Sequence, residues 1–337
     1  MEFIFLGTSS GTPTKTRNVS GVAIKMARSK LWYLVDCGEG TQHQILHTNL
    51  SLNNLQVIFI THVHGDHCYG LPGLLASATL LGRRDKLNII GPSAIKEFVE
   101  SIQKTTKMRL SYEINFIAVE TVSKLIDVKE FDIEVVELSH RVSSFAYHFI
   151  EKNIKSKLNV CKLREEGIKP GPIWGCLQEG QDVLLQNGNQ LRSKEYLLEK
   201  RKPRKIIVSG DNDNPSLLAS SANQANVLIH EATYTEDVAE NVGKEPQHSS
   251  AKRVAQFATE ISIPNLVLTH FSARYQDVNK GGASITDIEY EAMNFYKGNL
   301  FLANDLDVFH LNRDGGLVKM NMDIISKKYQ TNFAKIH

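Results

Sequence analysis

The sequence predicts a mixed α/β protein, a sheet-containing sandwich with helices outside. Three features carry that expectation: β-forming and helix-like runs alternate along the chain, the early runs are arranged as antiparallel hairpins, and one run of four β-formers suits a strand buried on both faces. Glu2 to Leu6 alternates as a strand and runs into the turn-rich stretch Gly7 to Asn18. Two more β-like runs follow, Val22–Met26 and Leu31–Val35, the second ending at Asp36-Cys37-Gly38-Glu39-Gly40. Thr41–Asn49 reads as a short helix, and Val57-Ile58-Phe59-Ile60 is the strand buried on both faces. An apolar helix is expected over about Leu71 to Leu81, then a strand at Leu87–Ile90, a helix at Ser93–Thr106, and strands at Glu113–Val119 and Phe131–Leu138. The alternation resumes with strand Lys205–Ser209, helix Pro215–Ala225, strand Asn226–His230, a helix over Ser249–Glu260 and strand Leu266–His270.

The segment 151–205 breaks this rhythm. It contains Lys169-Pro170-Gly171-Pro172-Ile173-Trp174-Gly175, a polar run over Gln186–Gln190 and a basic end, Lys200-Arg201-Lys202-Pro203-Arg204-Lys205. It holds 13 Lys+Arg against 7 Asp+Glu, an excess of six positive charges, so the rest of the chain carries net −4 beneath an overall +2. A loop this long inside a compact domain is usually functional or disordered. The expected organisation is therefore one catalytic domain, 1–150 and 206–337, interrupted by an inserted flexible basic arm, 151–205.

Composition excludes several classes. At 42% hydrophobic and 23% charged, the chain is neither disordered nor collagen-like. Four scattered cysteines, with no CxxC pair, argue against a disulfide framework or a thiolate zinc module and suit a reducing compartment. The N-terminus lacks a basic segment followed by a long apolar run, no run is long enough to span a bilayer, and no solenoid repeat is present, so a cytoplasmic protein without a membrane partner is expected.

Chemistry concentrates directly after the buried strand, in Thr61-His62-Val63-His64-Gly65-Asp66-His67. Alternate side chains of a strand point the same way, so His62 and His64 can converge on one cation, while the turn allowed by Gly65 lets Asp66 and His67 face a second. Imidazole and carboxylate suit a borderline ion such as Zn²⁺. Four such residues cannot complete two sites. His140, Asp211 and His270 each stand just beyond an apolar β-run, at the sheet rim where sites are built.

These features resemble the metallo-β-lactamase superfamily and, within it, the short form of ribonuclease Z. Beyond the histidine motif, Pro13-Thr14-Lys15-Thr16-Arg17-Asn18 is similar to that family's PxKxRN loop, Lys169–Gly175 to the Gly-Pro motif of its tRNA-binding arm, and His230-Glu231-Ala232-Thr233 to its HEAT motif. His248-Ser249-Ser250 resembles its HST motif with Ser in place of Thr. The resemblance implies a metallo-β-lactamase fold, a four-layer αβ/βα sandwich with a protruding basic arm. It implies two Zn²⁺ per subunit (Mn²⁺ as an alternative): His62, His64 and His140 on one, Asp66, His67 and His270 on the other, and Asp211 bridging. It implies Asp66 as proton acceptor and removal of the 3′ trailer of precursor tRNA, leaving a 3′-OH on the tRNA and a 5′-phosphate on the trailer. A homodimer and an added exonuclease mode are further implications; no other protein partner is evident.

Two such ions, about 3.5–4 Å apart, would lower the pKa of a shared water and neutralise phosphoryl charge. The leaving 3′-oxygen needs a proton, which His248 is expected to supply with Glu231 tuning it. Lys15, Arg17 and Asn18 are expected to fix the acceptor end, Arg274 to meet a phosphate, and Gly171 and Pro172 to shape the arm. A small-ester, thioester or phosphodiester hydrolase and a noncatalytic zinc-dependent RNA binder remain alternatives at this level. The first has no need of a basic 151–205 excursion, and the second would be expected to have lost some ligands.

Overall fold

The computed structural model describes residues 1–122, 125–154, 156–277 and 281–320. The apolar runs become strands where β-branched and aromatic residues can be covered on both faces. Leu55–Phe59 lies in the middle of an eight-stranded sheet, paired in parallel with Trp32–Val35 on one side and Leu87–Gly91 on the other. From edge to edge that sheet runs Leu317–Met320, Val308–Leu311, Glu2–Gly7, Gly21–Lys25, Trp32–Val35, Leu55–Phe59, Leu87–Gly91 and Ile114–Ala118. Its pairs from Leu317–Met320 through Trp32–Val35 are antiparallel, and those from Trp32–Val35 to Ile114–Ala118 are parallel.

A second, seven-stranded sheet is ordered Asn299–Leu302, Asn265–Thr269, Val227–Glu231, Lys205–Val208, Ser144–Glu151, Phe131–Leu138 and Ile126–Asp127. The two sheets face each other through aromatic rings: Phe59 packs on Tyr147 and Phe149 at centroid distances of 4.9 and 5.4 Å. Helices Leu71–Leu80 and Ala94–Thr106 share a buried cluster with the first sheet, and helices Ala251–Glu260 and Ile285–Phe295 share another with the second. The two sheets with their outer helices thus form the four-layer sandwich that the motifs imply. Its central parallel strands end on one rim, where turns need not continue the ladder and polar side chains remain free.

Some elements depart from the sequence reading. The helix expected over Pro215–Ala225 is only a 3₁₀ turn, Pro215–Leu218. Ser221 turns its hydroxyl back on Leu218 O at 3.1 Å and Gln224 takes φ +60°, so local side-chain bonding and a left-handed residue end the helix early. The helix at Thr41 stops at Leu46. Strand Ser144–Glu151 was not anticipated; it is buried along almost its whole length, so its sequence carries no alternation. Helix Ile285–Phe295 and the strands Asn299–Leu302, Val308–Leu311 and Leu317–Met320 likewise went unread.

The chain divides into two compact units. One comprises Met1–Val128, Asp132–Phe149 and the chain from Arg204; the other comprises Lys129–Phe131 and Ile150–Pro203. The second unit has its own small core of Leu163, Ile168, Leu177, Leu191 and Tyr196. Asn159 caps helix Val160–Glu165 by accepting from Lys162 N, and Pro172 opens helix Pro172–Gln178, where its missing N–H costs nothing. Trp174 donates its indole N–H to Ile168 O at 3.2 Å. Lys157, Arg164, Lys169, Arg192, Lys194, Lys200 and Lys202 are exposed. The basic run ending at Lys205 is not presented as one block: Arg204 is buried and donates to Leu311 O, and Lys205 is tied to Glu134.

Candidate metal centre

The rim of the sandwich gathers seven ligand-type side chains. His62 follows strand Leu55–Phe59, His140 follows Phe131–Leu138, Asp211 follows Lys205–Val208, and His270 follows Asn265–Thr269. Asp66 and His67 sit on the single helical turn Gly65–Cys68. Close backbone approach seats that turn: a Cβ on Gly38 would lie 2.2 Å from Asp66 O, and one on Gly70 would lie 2.1 Å from Gly38 O.

The donor atoms fall into two groups. His64 Nδ1 is 3.1 Å from both His62 Nε2 and His140 Nε2, and Asp211 Oδ2 is 3.6 and 3.8 Å from the latter two. In the second group His67 Nε2 and His270 Nε2 are 3.2 Å apart, with Asp66 Oδ2 at 3.4 and 3.3 Å from them. Asp211 Oδ1 completes it, 3.5 Å from His67 and 3.4 Å from His270. Metal–ligand bonds of about 2.0–2.1 Å in a tetrahedron separate ligand atoms by roughly 3.3 Å, so both groups have the span of a metal site. Asp211 turns one oxygen to each. Among the described residues, the sets with the span to hold a metal ion are His62, His64, His140 and Asp211; Asp66, His67 and His270; and a third in which His248 joins Asp211 and His270.

Four of the five rings are oriented from behind. His67 donates through Nδ1 to Asp36 Oδ2 at 2.7 Å, and His62 through Nδ1 to Thr61 Oγ1 at 3.0 Å. Asp36 also accepts from Thr61 N and Oγ1. His140 Nδ1 donates to Gln247 O at 2.8 Å, and His270 Nδ1 to Thr233 Oγ1 at 3.1 Å. Bonds at Nδ1 direct Nε2 of these rings toward the centre. Asp36 and His270 hold φ of +60° and +59°, a left-handed conformation unusual for such residues and concentrated at functional sites.

Electrostatics follow from the burial. Burial pushes His62, His64 and His140 below the ordinary imidazole value, so their rings are neutral, the ligand form. Burial would raise Asp66 and Asp211, but neighbouring imidazoles outweigh it and hold both below the usual carboxylate range: His67 and His270 for Asp66, and His270, His67 and His62 for Asp211. Burial would also lower His67, but Asp66, Asp211 and Asp36 outweigh it and raise it. His248 stands beside the centre with Nδ1 3.0–3.1 Å from both Glu231 oxygens. Burial pushes it down, yet the charge and hydrogen bond of Glu231 prevail and bring it up to about 9.

The remaining candidates are placed differently. Lys15 and Arg274 are exposed, and Arg274 lies over the Tyr234 ring at 5.0 Å. Asn18 is half-buried, with its backbone N–H on Asp305 Oδ2. Arg17 is buried, at 4% exposure. Gly171 and Pro172 are exposed in the second unit. Ser250, standing where the HST pattern has Thr, caps helix Ala251–Glu260 by accepting from Arg253 N, a role either hydroxyl residue can fill.

Sequence reasoning missed Asp36, Thr233 and the Gly11 N–H, which donates to Asp66 Oδ2 at 2.7 Å. The sign for Asp36 was present: like Asp211, it is a polar residue just beyond an apolar β-run.

Residues 1–156 match a family profile described as the anti-Pycsar protein Apyc1. The ribonuclease Z of Marinobacter nauticus is 51% identical over 321 residues, covering 95% of this chain and 99% of that protein. Among solved structures, human tRNase Z, short form, superposes with TM-score 0.63 at 24% identity, covering 93% of this chain and all of that one. The metallo-β-lactamase fold protein YhfI of Bacillus subtilis superposes with TM-score 0.62 at 16% identity, covering 91% and 98%.

Proposed function

The chain belongs to the ribonuclease Z family, and from that premise we propose that its His/Asp centre holds two zinc ions and cuts precursor tRNA to a 3′-OH on the tRNA and a 5′-phosphate on the trailer. It is a metal-dependent endoribonuclease of the metallo-β-lactamase fold that removes the 3′ trailer of tRNA precursors. The observation that carries the two-ion reading is Asp211, one oxygen facing each ligand group.

His62, His64 and His140 would hold one ion and Asp66, His67 and His270 the other, with Asp211 shared. When bound, such a pair lowers the pKa of water and neutralises charge on phosphoryl oxygens. The chain's own residues manage the protons. Asp66, held ionised, accepts the proton of the attacking water. His248, kept protonated by Glu231, donates to the leaving 3′-oxygen. A cleft of about 430 Å³, lined by Tyr234, Gln247, His248 and Arg253, receives the nucleotide that carries that oxygen. Arg274 meets a flanking phosphate, and Lys15 and Asn18 the acceptor end.

The second unit, with Gly171 and Pro172 at its helix start, holds folded RNA through exposed Lys and Arg, whose phosphate contacts release condensed counterions. A homodimer, in which each arm serves the partner's centre, a cytoplasmic location and an added exonuclease mode complete the reading. Mn²⁺ could replace Zn²⁺ in this nitrogen- and oxygen-ligated site.

Incubating the purified protein with a precursor tRNA carrying a 3′ trailer, with and without a zinc chelator, tests it. The expected result is one chelator-sensitive cut beside the acceptor stem, restored by zinc. Hydrolysis only of small esters, or RNA binding without cutting, refutes it.

A further inference from the structure

Arg17 spends its guanidinium on the protein itself. A guanidinium carries five N–H hydrogens; four are hydrogen-bonded here, and Nη2 is also ion-paired with Asp277. Nε donates to Asp277 Oδ1 at 2.9 Å. Nη1 donates to Thr8 Oγ1 at 2.8 Å and Ala303 O at 2.7 Å. Nη2 donates to Asn304 Oδ1 at 2.8 Å and is ion-paired with Asp277 Oδ1 at 2.7 Å. The guanidinium also lies over the Phe271 ring, 5.1 Å from its centroid. A bidentate phosphate contact would require breaking part of this set.

The acceptors tie three segments together: the head of the 8–18 loop, the stretch beyond His270, and 303–304. Ser9–Ser10 pairs in parallel with Phe271–Ser272, and Phe271 N donates to Thr8 O at 2.9 Å. Between Thr8 and Arg17 lies Gly11, at φ +69°, whose N–H reaches Asp66 Oδ2 at 2.7 Å. A Cβ there would meet nothing within 4 Å, so the backbone conformation, not space, calls for glycine. Thr16 Oγ1 bonds the second oxygen of Asp277 and braces the same closure.

We infer that Arg17 is a positioning residue: by clamping the 8–18 loop to Asp277 and to 303–304, it seats the Gly11 N–H on the Asp66 carboxylate and keeps Phe271, and with it His270, in register. It touches neither RNA nor the reacting atoms. The inference rests on the assignment of Asp66 and His270 to the catalytic centre.

Arg17→Lys keeps the charge and loses the fork; Asp277→Asn weakens the clamp from the other side. Both variants and wild type are compared on precursor tRNA and on bis(p-nitrophenyl) phosphate, per folded, metal-loaded site, and precursor binding is measured on chelator-stripped enzyme. The clamp predicts that Arg17→Lys lowers kcat about tenfold on both substrates, with KM for precursor held within about twofold. Stripped-enzyme binding and its salt dependence stay at wild-type values, and Asp277→Asn loses kcat in the same direction, less severely. A phosphate contact predicts the opposite: weaker binding for Arg17→Lys with the salt slope kept, because the charge stays while the fork is lost, no effect on the small phosphodiester, and tighter binding for Asp277→Asn because Arg17 is released. That pattern overturns the inference, as does full kcat on both substrates in the folded fraction of the variants. If Arg17→Lys does not fold, the sign of the Asp277→Asn effect decides. Wild type that cuts no precursor sinks the trailer-removal reading instead, and leaves the clamp to be judged on the small phosphodiester and the binding data.

Discussion

Glu231 accepts the Nδ1–H of His248 and also receives the hydroxyl of Thr233, which in turn holds His270 Nδ1. One buried carboxylate thus orients both the proposed proton donor and a proposed ligand. Because His248 is raised to about 9, its protonated form persists across neutral pH, and activity should fall as pH passes about 9. Glu231→Gln should move that limb down toward the ordinary imidazole value of about 6.5, read from kcat/KM against pH at saturating metal. A histidine raised on folding also stabilises: its contribution is complete below about pH 6.5 and fades as pH rises through about 9. His248→Ala should cost about 10²- to 10⁴-fold in kcat while zinc content, measured by elemental analysis, stays unchanged. Asp36→Asn should weaken metal binding about 10- to 100-fold in a chelator competition, because His67 loses the carboxylate that orients it. At this scale the proposed ligands were legible, since they stand just beyond β-forming runs or in the short motif that follows one. Arg17 was not: its residue type suits a phosphate, and only the acceptors brought from distant segments show that its guanidinium is held within the protein.

At the level of elements, the site depends on how closely the turn Gly65–Cys68 lies against the end of strand Trp32–Val35. Gly38 and Gly70 permit that approach, so Gly38→Ala should push Asp66 off its seat and reduce zinc stoichiometry toward one ion per subunit, measured on folded protein. Retention of two ions with wild-type kcat would contradict that role for Gly38. Strands and helices with a clear hydrophobic pattern were legible to within a few residues, as Phe131–Leu138 and Ala94–Thr106 illustrate. Ser144–Glu151 was not, because a strand covered on both faces loses the alternation that marks a half-buried one. The 3₁₀ turn at Pro215 was misread as a longer helix because apolar spacing outweighed the turn-forming Ser and Asn residues that follow it.

Across the whole molecule the chain divides into two compact units, and the proposed reading gives cutting to one and the RNA grip to the other. Deleting 160–200 should raise KM for precursor tRNA at least about tenfold while sparing hydrolysis of bis(p-nitrophenyl) phosphate, and it should flatten the salt dependence of precursor cleavage. Equal loss on both substrates would make the segment a structural support. The near-neutral net charge conceals this division, because the positive excess of 151–205 offsets an acidic remainder. By itself the sequence determined the sandwich class, the seven metal-ligating candidates and the family resemblance, because local β-runs, the spacing of His62 to His67 and short motifs are all written in neighbouring residues. Only the tertiary structure decided which oxygen of Asp211 faces which ligand group, that Asp36 and Thr233 orient the rings, and that Arg17 is enclosed within the protein. Those facts depend on side chains from segments far apart in the chain meeting at one rim, and no local pattern specifies such meetings.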